Sequence, residues 1–560
     1  GPLVEVDGHC VIPMPLYGRS VDRPFKFRNA TKKLRKKRLQ RRWPSLALDV
    51  EAYDGELPFE PVMVEHQLAD LDQRWVLLQQ CNIDPTVHPV WTFRGGEQAA
   101  LSRWQAFKDK GLSGYARRRN NAADLNGVSR MSAYIHYGMI SPMKIAREAA
   151  EVGTKSADKY LDELLVFREH AWHHIFSADD PYGVHNLPEW ARLSWRSTQD
   201  DPRTTLYPLR QLERADVHDP LWAACQRSLL RHGELHNNVR MTWGKALTGW
   251  TTDVEQSMAW GQAINDKYAL DGRDPSSVVG VQWCHGLFDR PFHPPAPILG
   301  LVRQRDSRTH MSRLDMEAYR AFTDQPAAVT PHPIIVIGAG LAGAVAARIL
   351  ADHGFDVVVL DKGRRVGGRA SRRRVDDVVL THGTGSLNQT PDWFSSWAEV
   401  ETLKERAVLS EDGYTVLDGP ETIAAWLDGI DVLTSTTVAR LEREEDAWLV
   451  HDLDGNRWQA SGVIITAPLP QAHRLLEDAP EAWVTHPYEA TWTVVLVHQE
   501  PCPAEVLAGM RRAGLDVQAD EDPRGIVVHL SPEWSQTNLE MERIDVVQAF
   551  LTMMEGPYEK

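Results

Sequence analysis

The most constraining feature of this sequence is a short aliphatic run that leads directly into a glycine pattern. Ile334–Ile337 is followed by Gly338, Gly340 and Gly343 in the spacing G-x-G-x-x-G, and a second aliphatic run ends at Asp361. A buried strand, a glycine turn, a helix and a second strand in this order predict a βαβ unit. In such a unit the helix N-terminus faces a pyrophosphate and the acid meets a ribose hydroxyl. We therefore predict a dinucleotide site here.

The residues before this unit have a helical pattern. Apolar positions recur on one face between Lys159 and Phe176, and two further helices are expected between Leu221 and Trp250, broken near Gly233. Strand-like runs are scarce in this part of the chain. This part is therefore predicted to be mostly α-helical.

A linker separates the two patterns. Residues 323–333 contain three prolines, and a chain of 560 residues is long enough for two or three domains. We predict an all-α domain at residues 46–322, this linker, and an α/β Rossmann-type dinucleotide-binding domain at residues 334–560. The fold class is thus multidomain.

The opening residues combine a strand-like pattern with positive charge. Residues 4–13 alternate like the end of a strand, and residues 28–42 contain nine basic residues and no acidic one. The net charge of the chain is -15, so a nucleic-acid site, if present, is expected in the first half. The basic run is either such a site or a solvated helix face.

Composition bears on the cellular location of the protein and on whether it binds a metal or a membrane. Five cysteines occur without metal-ligand spacing, no apolar run reaches the roughly 18 residues of a membrane span, and no secretory signal is visible. These patterns predict a cytoplasmic protein without a structural metal or membrane contact.

Several blocks of the helical part resemble the class II enzymes of the photolyase/cryptochrome family. His236-Asn-Asn-Val-Arg-Met-Thr-Trp243 and Asn265-Asp-Lys-Tyr-Ala-Leu-Asp-Gly-Arg-Asp-Pro275 carry the resemblance, and residues 115–121, 129–138, 162–169 and 207–222 follow the family order. The resemblance covers roughly residues 3 to 310. It implies a helical domain that binds FAD, and it identifies residues 1–45 with a remnant of an antenna domain and a basic linker.

The resemblance also implies the flavin site. Ser129 and Ser132, at the expected start of a helix, suit a phosphate. Arg240 and Asp271 resemble the ion pair over the isoalloxazine, and Asn265 matches the residue that faces flavin N5. The cofactor-binding residues implied in the helical domain are Tyr115, Ser129, Met131, Ser132, Arg240 and Asp271.

Catalytic roles are implied for six residues by the same resemblance. Trp243 and Trp250, seven residues apart in a helix, share a face about 10 Å apart along its axis. With Trp222 they match an electron-transfer triad, although helical spacing alone also suits core packing. Glu163 and Trp283 match a carboxylate and an aromatic ring that contact the flipped pyrimidine dimer. The sixth residue with an implied catalytic role is Asn265, through its position facing flavin N5.

The chain departs from the family pattern around the expected substrate pocket. Phe167 stands where a tryptophan is usual, Ala133 replaces a proline, and residues 237–238 are both asparagine. Residues 282–290 form a loop one residue shorter than usual, in which His285 is expected either to donate a proton to substrate or to be a surface or loop histidine. These departures lie around the substrate pocket and not around the flavin. Flavin binding is therefore expected, whereas the resemblance gives weaker support to dimer repair.

The C-terminal part resembles renalase-like flavin amine oxidases. Arg369, in Arg364-Arg-Val-Gly-Gly-Arg369, extends the glycine pattern, and His382 with Gly383 and an expected strand at residues 488–492 continue it. The cofactor-binding residues implied here are Gly338, Gly340, Gly343, Asp361 and Arg369. A second FAD or NAD(P) is expected in this domain. It is expected to be held weakly or not at all, because a second flavin-contacting segment of the family is not seen and the domain is predicted to be C-terminally incomplete.

Three functions follow from these patterns. The first is a light-driven FAD enzyme that repairs cyclobutane dimers in UV-damaged DNA. The second is a cryptochrome-like photoreceptor with the same flavin and tryptophans. The third is an FAD- or NAD(P)-dependent oxidoreductase that acts through the C-terminal domain on a small molecule whose identity the sequence leaves open.

Overall fold

The structure is a computed structural model that describes most of the chain. The described residues are 6–17, 21–41, 55–56, 59–60, 70–84, 87–370, 372–383, 386–388, 407–410, 413–416, 419–444, 446–485, 488–512, 514–519 and 522–555.

The chain forms two compact units, which meet between Ala328 and Val329. The last helix of the first unit ends at Thr323, and the first strand of the second begins at Ile334. The unit boundary thus falls inside the stretch expected to be a linker. The expected domain boundary at residues 45–46 lies outside the described residues.

The N-terminal unit is helical. Within its described ranges no strand occurs, and β-type pairing is limited to an isolated bridge between Ala296 and Gly300. Its α-helices are Met14–Tyr17, Pro24–Gln40, Leu71–Gln80, Glu97–Lys110, Tyr115–Arg118, Ser132–His136, Pro142–Val152, Lys155–Asp162, Glu169–Phe176, Glu189–Ser197, Leu209–Glu213, Pro220–His232, Asn237–Trp250, Val254–Tyr268, Pro275–Cys284, Ser307–Met311 and Met316–Thr323; Leu112–Gly114 and Val184–Asn186 are 3₁₀ turns.

The helices expected between residues 221 and 250 are confirmed. Pro220–His232 begins after Asp219, whose side chain accepts hydrogen bonds from the Leu221 and Trp222 amides. It ends at Gly233, whose φ of 64° lies in the left-handed region that glycine adopts without strain. The next helix, Asn237–Trp250, then starts within four residues.

The helix expected between residues 159 and 176 is interrupted. Lys155–Asp162 continues into a π-helical segment, Glu163–Arg168, before regular geometry resumes at Glu169–Phe176. A π segment adds a residue to one turn and turns the following side chains to a new direction. The interruption begins at Glu163, a residue that lines the main cavity described below.

The strand expected at residues 4–13 is wrong for the described part of that segment. No strand forms there, and the backbone amides of Val11 and Ile12 donate instead to the carboxylate of Glu169, at 2.5 and 3.1 Å. Arg168 donates to the His9 carbonyl at 2.7 Å. Side chains of a helix, rather than a second strand, therefore satisfy this backbone.

Three apolar clusters pack the described part of the N-terminal unit. One contains Tyr115 and Met131, another contains Trp222, Trp243 and Trp250, and the third contains Trp195 and Met258. Two of the residues implied in flavin binding therefore pack in one cluster and the three tryptophans in another.

The C-terminal unit is an α/β fold with several small sheets. Its strands are β1 (Ile334–Ile337), β2 (Val357–Leu360), β3 (Arg372–Val375), β4 (Val378–Thr381), β5 (Ser386–Asn388), β6 (Ala407–Ser410), β7 (Gly413–Val416), β8 (Asp431–Leu433), β9 (Val438–Arg443), β10 (Trp448–Asp452), β11 (Arg457–Ala460), β12 (Gly462–Ile465), β13 (Thr493–Val497), β14 (Asp516–Ala519) and β15 (Gly525–His529). Its helices are Leu341–Asp352, Gly419–Trp426, Leu469–His473, Ala482–Thr485, Ala504–Arg512, Pro532–Thr537 and Arg543–Glu555, with a 3₁₀ turn at Gly368–Ala370.

The βαβ unit predicted from the glycine pattern is confirmed. β1 and β2 pair in parallel, with Ile334 opposite Val357, and Leu341–Asp352 is the helix between them. The parallel sheet has the order β12-β1-β2-β8. The strand expected at residues 488–492 is wrong in position, because β13 begins at Thr493 and pairs there with His529 of β15.

Candidate functional site

The N-terminal unit contains a cavity of about 1390 Å³. Ligand pockets for drug-sized molecules are roughly 300–1,000 Å³, so this cavity has room for an extended ligand. The sequence-predicted residues that line it are Tyr115, Ser129, Ser132, Glu163, Arg240, Asp271 and Trp283. The fold thus brings together residues that are up to 168 positions apart in the sequence.

One wall of the cavity is built around a turn and a short helix. Ser132 begins the helix Ser132–His136, and Ser129 precedes it and accepts a hydrogen bond from the Tyr160 hydroxyl at 3.3 Å. Tyr115 also lines the cavity, and burial raises the pKa of its hydroxyl group. Met131, between the two serines, is packed in the core and does not line the cavity.

Arg240 is a firmly held cation of the cavity wall. Its guanidinium donates to Asn265 Oδ1 at 2.6 Å and to Ser277 Oγ at 2.9 Å, and it lies 3.8 Å from Asp271. Burial raises the pKa of Asp271, and the positive charge of Arg240 opposes that rise. Arg240 is therefore held in one orientation towards the cavity.

Asn265 stands behind Arg240 and does not line the cavity itself. It is fully buried, and its amide donates to the Gly272 carbonyl and to Ser277 Oγ, both at 2.9 Å. Its side chain is thus occupied by the protein. Ser277, which joins Arg240 to Asn265, was missed by the sequence reasoning because a single serine in a helix gives no signal.

His236 is a second cavity residue that the sequence reasoning did not single out. Its Nδ1 accepts a hydrogen bond from the Asn238 amide at 3.1 Å, whereas its Nε2 is buried without a partner among the described residues. Burial lowers the pKa of His236 to about 4, so the ring is neutral and Nε2 carries the hydrogen. An unsatisfied buried donor on this wall fits an acceptor atom of a ligand.

Glu163 lies on the cavity wall between two cations. Its carboxylate is 3.1 Å from Arg119 Nη1 and 2.6 Å from Lys159 Nζ. The Lys159 ammonium also lies 5.4 Å from the centre of the Phe167 ring. The acid is therefore charge-compensated within the protein.

An aromatic pair completes this side of the cavity. The rings of Trp283 and Phe167 are stacked, with centroids 6.2 Å apart, and Phe288 meets Trp283 edge-on at 5.6 Å. Phe167 thus occupies the place next to Trp283 where the family resemblance predicted a tryptophan. The pair adds two aromatic rings to the cavity wall.

The three predicted tryptophans form one connected row. The ring of Trp222 is stacked on that of Trp243, with centroids 6.0 Å apart and an interplanar angle of 10°. The centroid of the Trp222 ring is 5.4 Å from that of Trp250, in an edge-to-face contact. Trp222 is therefore the middle ring, although it comes from a different helix than the other two. Trp243 is three residues from Arg240 on the same helix, so this end of the row is next to the cavity wall.

His285 lies in the turn after the helix Pro275–Cys284, as a loop histidine was expected to, but it is neither at the surface nor on the cavity wall. It is completely buried, with Nε2 2.8 Å from Ser257 Oγ and Nδ1 3.0 Å from the Val281 carbonyl. Burial lowers the pKa of His285 to about 4. The residue is a packed, neutral histidine.

We expect this histidine to make the N-terminal unit less stable in acid. Unfolding restores the ordinary pKa, so between pH 6.5 and about 4 the unfolded chain binds a proton that the folded chain does not, and stability falls as pH falls. His285→Gln should remove up to about 1.4 kcal/mol per pH unit from the slope. Urea unfolding at several pH values measures it, and equal slopes for both proteins would contradict the prediction.

The glycine turn of the C-terminal unit is tightly built. Gly338 has a φ of 110°, and a Cβ at Gly343 would lie 1.8 Å from the Gly338 carbonyl oxygen. Asp361 accepts backbone hydrogen bonds from Ala339 at 2.5 Å and from Gly363 at 2.6 Å. The acid at the end of β2 thus holds the turn. Arg369 is exposed in the neighbouring 3₁₀ turn.

Two alanine substitutions in this unit should have opposite outcomes. Gly343→Ala drives a methyl group into the Gly338 carbonyl, and overpacking of this kind costs about 1–3 kcal/mol. Gly462→Ala, in β12 and outside the glycine turn, meets no atom within 4 Å and is the matched control. We expect Gly343→Ala to weaken NADH or NADPH binding at least about tenfold. Calorimetric titration checks this, and equal binding by the two variants would count against a dinucleotide at this turn.

No helix in the described ranges has both the length and the apolar character needed to cross a bilayer. Over the same residues, no three His, Cys, Asp or Glu side chains are arranged to hold a metal ion.

Comparisons with known proteins found sequence matches for this chain. Residues 336–400 match the family described as NAD(P)-binding Rossmann-like domain. The deoxyribodipyrimidine photo-lyase of Methanothermobacter thermautotrophicus is 36% identical over 238 residues, which are 42% of this chain and 52% of that protein. The deoxyribodipyrimidine photo-lyase of Oryza sativa subsp. japonica is 29% identical over 352 residues, 59% of this chain and 66% of that protein. The chain thus spans between half and two thirds of the length of these relatives.

A redesigned putrescine oxidase is a structural neighbour with 15% identity and a TM-score of 0.28, covering 38% of this chain and 78% of that one. The sequence matches give the chain a photolyase-like N-terminal region. It continues into a region that matches NAD(P)-binding Rossmann-like domains.

Proposed function

We propose that this protein is a light-driven FAD enzyme that repairs cyclobutane pyrimidine dimers in UV-damaged DNA, as its photo-lyase relatives are named for doing. The observation that carries the proposal is the continuous row of Trp243, Trp222 and Trp250, which begins beside the cavity that Glu163 and Trp283 line. A redox-active aromatic row next to a ligand cavity suits the refilling of a photo-oxidised cofactor.

The cavity has groups that fit FAD. Ser129 and Ser132 offer hydroxyl donors to a pyrophosphate, the unpartnered Nε2–H of His236 offers another donor, and Arg240 offers a fixed positive charge. When bound, FAD supplies light absorption and the single electron that opens the cyclobutane ring and is then returned. Arg240, held by Asn265 and Ser277, favours negative charge on its ligand.

The other side of the cavity suits a flipped pyrimidine dimer. Trp283 and Phe167 present a surface on which a flipped base can stack, and Glu163 offers carboxylate oxygens for hydrogen bonds. Arg119 and Lys159 compensate the charge of Glu163, which reduces its repulsion of DNA phosphates. These residues bind and orient the lesion.

The test is anaerobic illumination of the reduced protein with dimer-containing single- and double-stranded DNA. Restored pyrimidines are measured chromatographically, with dark samples as the control. Repair that requires light supports the proposal. Absence of repair by protein that photoreduces normally would reject it.

A cryptochrome-like photoreceptor is the second candidate, because the substrate side of the cavity departs from the family pattern. Phe167 replaces a tryptophan, and Glu163 is already paired with two cations. Light-dependent reduction without repair favours this candidate. A light-dependent change in partner binding would then be sought.

An oxidoreductase that acts through the C-terminal unit is the third candidate. The match to NAD(P)-binding domains and the tight turn at Gly338 and Gly343 favour it. Flavin reduction by NADH or NADPH in the dark tests it, because the photolyase reaction needs light. The same assay on Gly343→Ala assigns any such activity to this unit.

A further inference from the structure

The helix Pro24–Gln40 is the most strongly charged segment of the described chain. It carries eight basic residues and no acidic one, within a protein of net charge -15. Its buried side includes Phe27 and Thr31. Lys32, Lys33, Lys36 and Lys37 are all exposed, and positions i, i+1, i+4 and i+5 cover an arc of about 140° on one face of a helix. These four lysines are called the lysine patch below.

Three of the other four basic residues of this helix are paired within the protein. Arg28 pairs with Asp162 at 2.6 Å, Arg35 donates to the Arg28 carbonyl at 2.9 Å, and Lys26 pairs with Asp22 at 2.7 Å. By contrast, no residue that the structure describes makes an ion pair or hydrogen bond to a lysine-patch ammonium. The patch therefore concentrates four uncompensated charges.

The helix is tied to the cavity wall through ion pairs. Asp162, which holds Arg28, also lies 3.4 Å from Lys159, and Lys159 pairs with Glu163 at 2.6 Å. Asp162 and Glu163 are consecutive residues of one helical segment. The helix that carries the patch is thus joined, through Arg28, Asp162 and Lys159, to a residue that lines the cavity.

We propose that the lysine patch binds the phosphate backbone of nucleic acid, without regard to sequence or lesion. This rests on the proposed function, because it describes how DNA is held outside the cavity. Lysines one helical turn apart are separated by about 6 Å along the axis, and each DNA strand has a phosphate about every 3.4 Å, so the four ammonium groups match a short run of phosphates. Lysine is a mobile point charge, which suits backbone contacts more than base recognition.

The test measures binding of the full chain to undamaged duplex DNA by fluorescence anisotropy at about 0.05 to 0.2 M salt. The test variant combines Lys32→Gln, Lys33→Gln, Lys36→Gln and Lys37→Gln. Each lost phosphate contact lowers the slope of log K against log salt by about 0.9, so we expect a slope lower by about 3 to 4. Affinity at about 0.1 M salt should fall at least about tenfold.

The matched control is Lys110→Gln with Lys155→Gln, two exposed lysines elsewhere in the same unit. It should keep the wild-type slope. Unchanged flavin content and photoreduction in the patch variant show that it is folded. An unchanged slope in the patch variant overturns the proposal.

Two further measurements separate the rival partners and the proposed function. Stronger binding of wild type to vesicles of anionic lipid than to DNA would overturn the proposal in favour of a membrane surface. Loss of self-association, rather than of DNA binding, would overturn it in favour of a second copy of this chain. If the wild type repairs no dimers but the patch variant loses DNA binding, the proposed function is rejected. The role of the lysine patch in DNA binding is then still supported.

Discussion

Photoreduction of the flavin is expected to slow at least about tenfold when Trp222 is replaced by phenylalanine, which corresponds to about 1.4 kcal/mol in an activation barrier. Trp222 is the middle ring, in contact with both Trp243 and Trp250. Phenylalanine is a much poorer electron donor than tryptophan, so the substitution separates the other two rings electronically. Absorbance under blue light with an external reductant measures the rate.

The control for this experiment is Trp260→Phe. Trp260 packs against the same cluster but is not one of the three rings in the row. Both variants should retain FAD, measured after acid precipitation. An unchanged rate in Trp222→Phe, or an equal loss in Trp260→Phe, would remove the electron-transfer role of the row.

Repair of dimers is expected to fall about tenfold to a hundredfold when Glu163 is replaced by alanine. A hydrogen bond to a charged group contributes about 1.5–3 kcal/mol. In the proposed function the Glu163 carboxylate contacts the lesion, so its loss affects repair. Its removal also leaves Arg119 and Lys159 without their common partner. Photoreduction should not change, because this residue is not in the tryptophan row.

Two variants distinguish the role of Glu163 from a loss of charge or of structure. Glu163→Gln keeps a hydrogen-bonding side chain and should repair better than Glu163→Ala. Asp162→Asn removes the neighbouring carboxylate, which pairs with Arg28 rather than lining the cavity, and should repair nearly as well as wild type. Repair by Glu163→Ala at the wild-type rate would show that the carboxylate does not contact the lesion.

Parts of the fold were predictable because local sequence determines them. Asp219 at the start of a helix, Gly233 at its end and the glycines before Leu341 each impose a backbone geometry within a few residues. The same holds for the aliphatic run of β1, which only a buried strand accommodates. Such signals need no knowledge of distant residues.

Other features were mispredicted because distant partners decide them. The backbone of Val11 and Ile12 lacks a partner strand and is satisfied by Glu169, 157 residues away from Ile12. His285 lies in a turn as expected, yet it is neither exposed nor on the cavity wall, because Ser257 and the Val281 carbonyl occupy both ring nitrogens inside the core. Neither outcome is encoded in neighbouring residues.

The sequence by itself determined the succession of a helical part, a linker and a βαβ unit, and it singled out seven of the residues that line the main cavity. Only the tertiary structure placed Trp222 between Trp243 and Trp250, left Nε2 of His236 without a partner among the described residues, and put Arg119 and Lys159 on Glu163. The physical reason is that periodicity and turn chemistry act over a few residues. Ring stacking, ion pairing and burial depend on which helices pack together.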